Sequence, residues 1–122
     1  MSVPTRRAWA TIDTGALRKN LAQVRALCPE SKIIPAIKSN AYGHGLEEVA
    51  RALAAPPTNA AGLAVATLDE ALAIGKLDLK LPVLLLNGFI NAEELNLCLE
   101  HGIEPVVHSP YQVALLEQQF SK

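Results

Sequence analysis

Apolar residues along the 122-residue chain fall into short, nearly unbroken runs separated by longer stretches in which they recur every three or four positions. The short runs are Ala8 to Ile12, Lys32 to Ile37, Ala61 to Ala66, Val83 to Leu86 and Pro105 to Val107. Continuous rather than alternating runs are the mark of strands covered on both faces, as in a parallel sheet. Between them lie helical stripes, such as Leu17, Leu21, Val24 and Cys28, and then Leu46, Val49, Ala50 and Leu53. The alternation is a βα repeat and predicts an α/β fold.

The helix boundaries carry their own signals. Asp13 is placed to cap the first helix, and Pro29 ends it because proline has no N–H to donate. Pro56 and Pro57 close the second. Thr67 with Glu70, Asn91 with Glu94 and Ser109 with Gln112 have capping-box spacing, and Pro110 falls at the favoured first helical position. Gly102 stands where a left-handed C-cap is needed. Pro35 removes a ladder donor inside the second strand, so that strand should be irregular or lie at an edge.

At about 25 residues per βα unit the chain holds some five units, whereas a closed eight-unit barrel takes roughly 250 residues. The expectation is therefore a partial (β/α) TIM-type barrel of about five parallel βα units, with residues 1–122 forming one piece of a domain. An open barrel leaves bare strand edges and an uncovered apolar face, which predicts self-association.

Composition narrows the function. Half of the residues are hydrophobic and 4% are aromatic, which excludes disorder. The formal net charge is -1, with no basic cluster beyond Arg6 and Arg7, so no footprint for nucleic acid exists and a small molecule is the expected partner. The start of the chain has no apolar leader and Val83 to Leu86 is far too short to span a bilayer, so a soluble cytoplasmic protein without membrane contact is expected. Cys28 and Cys98 fit no disulfide framework and read as core thiols.

The segment Ala36-Ile37-Lys38-Ser39-Asn40-Ala41-Tyr42-Gly43-His44-Gly45 joins the second strand to the second helix. In a barrel of this kind the loops after the strands form the active-site face, so Lys38 stands where a ligand would bind. A lysine that condenses with a carbonyl must lose its proton, which a partly desolvated pocket permits. The bland alternative is a solvated lysine at a strand end. Tyr42 could offer its hydroxyl to a phosphate or simply pack on the rim, and His44 could orient the loop by hydrogen bonding or act on a ligand. Cys98, His101 and His108 are spread over a helix and a strand and define no closed metal site, so no metal is expected. Trp9 reads as a core or interface residue, and Asp69 and Glu70 as acids placed for the helix dipole.

The run Lys38-Ser39-Asn40-Ala41-Tyr42-Gly43-His44-Gly45 resembles the pyridoxal-phosphate attachment motif of alanine racemases. The likeness extends through Ala8 to Asp13, Val65 to Ala71 and Pro105 to Ser109, and so spans essentially the whole chain. Ser39 stands where alanine is more usual, a small-for-small change. The resemblance implies a fold-type III pyridoxal enzyme with an N-terminal (β/α) barrel followed by a β domain, working as a homodimer on alanine and supplying D-alanine for peptidoglycan. It further implies that Lys38 binds pyridoxal 5'-phosphate as a Schiff base and acts as one catalytic base, and that Tyr42 contacts the cofactor phosphate. The second base in the family is a tyrosine of the partner subunit's β domain. That domain and the later strands are not in these residues, so the chain alone is expected to be inactive. A broader amino-acid racemase acting on serine, and a non-catalytic self-associating half-barrel, are the alternatives.

Overall fold

Parallel strands cannot be joined by a tight turn, and every crossover in this chain is made by a helix. The computed structural model describes residues 5–57 and 60–121; residues 1–4, part of the start read above as lacking a leader, lie outside that range. The elements run α1 (Thr14–Leu27), α2 (Lys38–Tyr42), α3 (Leu46–Ala54), β1 (Leu63–Val65), α4 (Leu68–Gly75), β2 (Val83–Leu85), α5 (Ala92–His101), β3 (Glu104–Pro105) and α6 (Pro110–Phe120). The three strands form a parallel sheet in the order β1-β2-β3, with Leu63 opposite Val83, Val65 opposite Leu85 and Leu84 opposite Glu104.

The segment expected as the second strand lies along the outer edge of β1. It makes a single parallel bridge between Ala36 and Ala64, supported by Ile37 N–H to the Ala64 carbonyl at 2.8 Å and Ala64 N–H to the Pro35 carbonyl at 2.9 Å. The next rung in that register would need a donor from Pro35 to Gly62, and proline has none, so the ladder stops after one bridge. The expected first strand, Ala8 to Ile12, is not a strand at all. No strand among the described residues pairs with it, and Trp9 is 82% exposed rather than part of the core. A run with strand composition becomes a strand only where a free sheet edge lies alongside it.

Right-handed crossovers between strands taken in sequential order put every helix on the same side of the sheet. The helices accordingly make one row, α1 against α3, α3 against α4, α4 against α5 and α5 against α6. Leu63 and Val65 from β1 and Val83 and Leu85 from β2 point into this layer and meet Val49, Leu53, Ala71, Ile74 and Cys98. The opposite face carries the aligned row Ala36, Ala64 and Leu84, with Glu104 as its fourth member, and no helix among the described residues covers it.

The caps follow the local chemistry. Asp13 accepts from Ala16 N–H, Thr67 and Glu70 close a reciprocal box, Asn91 accepts from Glu94 N–H, and Gly102 is left-handed at φ +67°. Two expectations are corrected. Ser109 makes no side-chain cap; the Gln112 side chain instead accepts from His108 N–H and donates to the Phe89 carbonyl in the loop after β2. Cys28 is exposed rather than a core thiol, since it caps the carboxyl end of α1 about two turns beyond the last buried contact, Leu21.

Gly88 and Gly102 separate two reasons for glycine. Both have positive φ, but a methyl on Gly88 would collide with the Val106 carbonyl oxygen and come within 2.6 Å of Gln112 Nε2, while one on Gly102 meets nothing within 4 Å. Gly88→Ala is expected to cost about 2–4 kcal/mol and Gly102→Ala only about 1 kcal/mol, read from urea unfolding midpoints. Equal losses would contradict the close approach at Gly88.

Candidate active site

Because the strands are parallel, everything that follows each of them emerges at the same end of the sheet. Lys38 is the first residue after Ile37, which is 2% exposed at the end of the edge segment; Lys38 itself is half-buried. Ala66 and Thr67 follow β1, Asn87 to Phe89 follow β2, and Val106 to Ser109 follow β3.

The turn that begins at Lys38 is left-handed. Ser39, Asn40, Ala41 and Tyr42 all have φ between 54° and 56°. A left-handed conformation costs an ordinary L-residue roughly 1–2 kcal/mol, with Asn the least penalised, so four in succession need outside support. Internal bonds supply part of it: Ala41 N–H to the Ile37 carbonyl at 2.9 Å, Gly43 N–H to the Ser39 carbonyl at 3.1 Å and Gly45 N–H to the Asn40 carbonyl at 3.0 Å. The His44 ring bonds through Nδ1 to the Ala41 carbonyl at 2.9 Å, which requires the proton on Nδ1. The Asn40 side chain accepts from Leu46 N–H at 2.8 Å and thereby caps α3, whose Gly45 has no side chain to do so. Ala41, 5% exposed, anchors the turn in the core.

Glu70, expected only as a helix-start acid, bonds on both sides. Its Oε1 accepts from Ala66 and Thr67 N–H, each at 3.0 Å, and its Oε2 accepts from Ser39 N–H at 2.6 Å. Burial by itself raises the Glu70 carboxyl, but the backbone donors at Thr67, Ser39 and Ala66 and the Thr67 hydroxyl outweigh it, and the group is held below the usual carboxylate range.

The lateral ties continue across the face. Asn87 N–H reaches the Ala66 carbonyl at 3.3 Å, and the His108 ring bonds through Nε2 to the Asn87 carbonyl at 3.0 Å. Gln112, fully buried, accepts from His108 N–H at 2.7 Å and donates to the Phe89 carbonyl at 3.0 Å, where the Tyr111 hydroxyl also donates. Neither the long reach of Glu70 nor the role of Gln112 is visible in spacing alone.

Lys38 and Tyr42 thus sit at the two ends of one five-residue turn. Tyr42, 60% exposed, and His44 line a cavity of about 770 Å³ together with Asp13, Leu17, Asn20 and Ile33, whereas Lys38 is not among its walls. Cys98 and His101 lie on α5 and His108 beyond β3, so His101 and His108 belong to opposite ends of the sheet. The Cys98 thiol is buried, and burial together with the Glu94 charge pushes its pKa up, toward the neutral form. No group of three His, Cys, Asp or Glu able to hold a metal occurs among the described residues, and no helix among them is long and apolar enough to cross a membrane.

A family model described as alanine racemase, N-terminal domain, matches residues 12–122. The chain is 44% identical over 111 residues to the alanine racemase of Pectobacterium carotovorum subsp. carotovorum (strain PC1), covering 91% of this chain and 30% of that protein. It is also 44% identical over 112 residues to the alanine racemase of Coxiella burnetii (strain RSA 331 / Henzerling II), covering 92% of this chain and again 30% of that protein. Among solved structures, the alanine racemase from Acinetobacter baumannii superposes with a TM-score of 0.81 at 36% identity, over 88% of this chain and 29% of that one. The chain therefore spans about 30% of the length of the curated relatives it matches.

The Glu70 bonds carry a pH signature. A carboxyl depressed by folding contributes stability that is full above its ordinary value of 4.5 and is lost as pH falls through the lower folded one. Urea unfolding followed from neutral to acid pH should show stability falling below that range, with a shallower fall in Glu70→Gln. An unchanged slope in the variant would remove Glu70 from the account.

Proposed function

Because the chain belongs to the alanine racemase N-terminal domain family, we propose that it is the lysine-bearing part of a pyridoxal-phosphate-dependent racemase that interconverts L- and D-alanine. The observation that carries this reading is the junction at Lys38: a lysine at the carboxyl end of a buried edge segment, opening a left-handed turn held from outside by Glu70. The residues fit pyridoxal phosphate in chemistry, with a half-buried lysine at one end of the turn and an exposed tyrosine at the other.

When bound, the cofactor supplies an electron sink for the carbanion left at the substrate Cα. Lys38 holds the cofactor through its amine and serves as the base on one face of Cα. Tyr42 would offer its hydroxyl to the phosphate. The proton must return on the other face, so a second group is required, and by family likeness it is a tyrosine from a partner subunit. A homodimer in the cytoplasm is the working form in this reading.

The sheet is read as the first part of a (β/α) barrel. Sequential strand order and a single row of helices support this, as does the second apolar face bearing Ala36, Ala64 and Leu84, which in a closed barrel looks inward. The same face supports a second reading, in which the chain pairs with a copy of itself and does no chemistry.

Borohydride reduction in the presence of pyridoxal phosphate, followed by peptide mapping, should label Lys38 and leave the other lysines near background. Label spread evenly over Lys19, Lys32, Lys76 and Lys80 would overturn the site. Light scattering on the eluting chain should give a mass above that of one copy at high concentration; a stable monomer there would remove self-association from both readings.

A further inference from the structure

We infer that Glu70 is the positioning residue for Lys38, fixing from the neighbouring βα loop the peptide plane that follows the lysine. This rests on the reading of Lys38 as the attachment residue.

An acid at the third position of a helix completes a capping box with one oxygen. Glu70 does so with Oε1, which accepts from Thr67 N–H and also from Ala66 N–H. Its other oxygen has no part in the cap. Oε2 accepts from Ser39 N–H at 2.6 Å, across 31 residues of sequence, and that N–H belongs to the peptide group formed with the Lys38 carbonyl. Fixing the direction of this amide fixes ψ of Lys38 and hence the orientation of its Cα–Cβ bond relative to β1. The amide is also the first of the left-handed residues, so the bond sits where the chain departs from the extended form.

The link needs a carboxylate. Three backbone donors converge on two oxygens, and only a group with acceptors at both positions satisfies all of them. In Glu70→Gln the amide has one oxygen and one NH2. The arrangement that keeps the most bonds leaves the oxygen on Ala66 and Thr67 and turns the NH2 against Ser39 N–H. The cap survives and the link to the lysine turn opens. Thr67→Ala does the reverse: it removes the hydroxyl that accepts from Glu70 N–H and donates to Oε1, and leaves Oε2 on Ser39.

Two measurements on the full 122-residue chain decide the matter. Amide hydrogen exchange, which needs no cofactor, should accelerate by about tenfold or more at residues 39–43 in Glu70→Gln while residues 71–75 of α4 stay near wild type, the factor expected from losing one charge-assisted hydrogen bond. Thr67→Ala should speed α4 and spare the turn. Labelling of Lys38 with pyridoxal phosphate and borohydride should fall about tenfold in Glu70→Gln and hold in Thr67→Ala. If both variants loosen the turn and α4 alike, or if Glu70→Gln leaves labelling unchanged, Glu70 is only a helix cap and the inference is overturned. If Glu70→Gln does not fold, Glu70→Asp replaces it, since the shorter carboxylate reaches its own helix start but not Ser39, and the same two results are read. If the wild-type chain shows no preference for Lys38, the attachment reading fails, and with it the functional meaning of the link, while exchange at residues 39–43 still reports separately whether Glu70 holds the turn.

Discussion

Four consecutive L-residues in the left-handed region form the constraint on which the site depends. Left to itself, such a run reverts to extended or right-handed backbone, because each Cβ crowds the carbonyl that follows. The chain holds Ser39 to Tyr42 there by surrounding them. Ala41 is buried against the core, Asn40 caps the next helix, the His44 ring ties back to the Ala41 carbonyl, and Glu70 takes the first amide from outside. Strain of this kind persists only where the neighbourhood over-determines it. The result is that a lysine and a tyrosine four residues apart are presented from one short, rigid piece of backbone instead of a loose loop.

That rigidity is shared. The loops after the edge segment, β1, β2 and β3 are bonded side by side through Glu70, the Ala66 and Asn87 backbone, His108 and Gln112. A buried glutamine with both ends satisfied costs little and fixes two loops at once, whereas an unsatisfied one would be expensive. Preorganisation of this sort is what a site needs if binding energy is not to be spent on ordering it.

Much of this architecture was legible from residue order. The apolar runs led to β1 and β2 within two residues, the helical stripes to α1 and α3, and the capping signals to the starts of α4, α5 and α6, and Thr67, Asn91 and Gly102 behave at the helix ends as their chemistry requires. Pro35 was readable as a fault in the ladder, and the ladder breaks there. Ala8 to Ile12 misled because local composition says nothing about whether a partner edge exists. The lysine turn was visible as a motif but its handedness was not, since Ser, Ala and Tyr rarely adopt φ near +55° and only contacts from distant residues hold them there. Glu70 and Gln112 were read for their own helices, and their second bonds lie with residues whose nearness depends on the finished sheet.

The sequential order of strands has a temporal corollary. Each βα unit packs chiefly on the unit made just before it, through β1 to β2 to β3 and through α3 to α4 to α5 to α6. No strand in the sheet waits for one synthesised much later, so loop closure is cheap at every step. Such a polypeptide can settle from its amino end as it leaves the ribosome, each new unit docking on a surface already formed. The lysine turn, secured by a carboxylate only 31 residues downstream, would be among the first parts to reach its final shape.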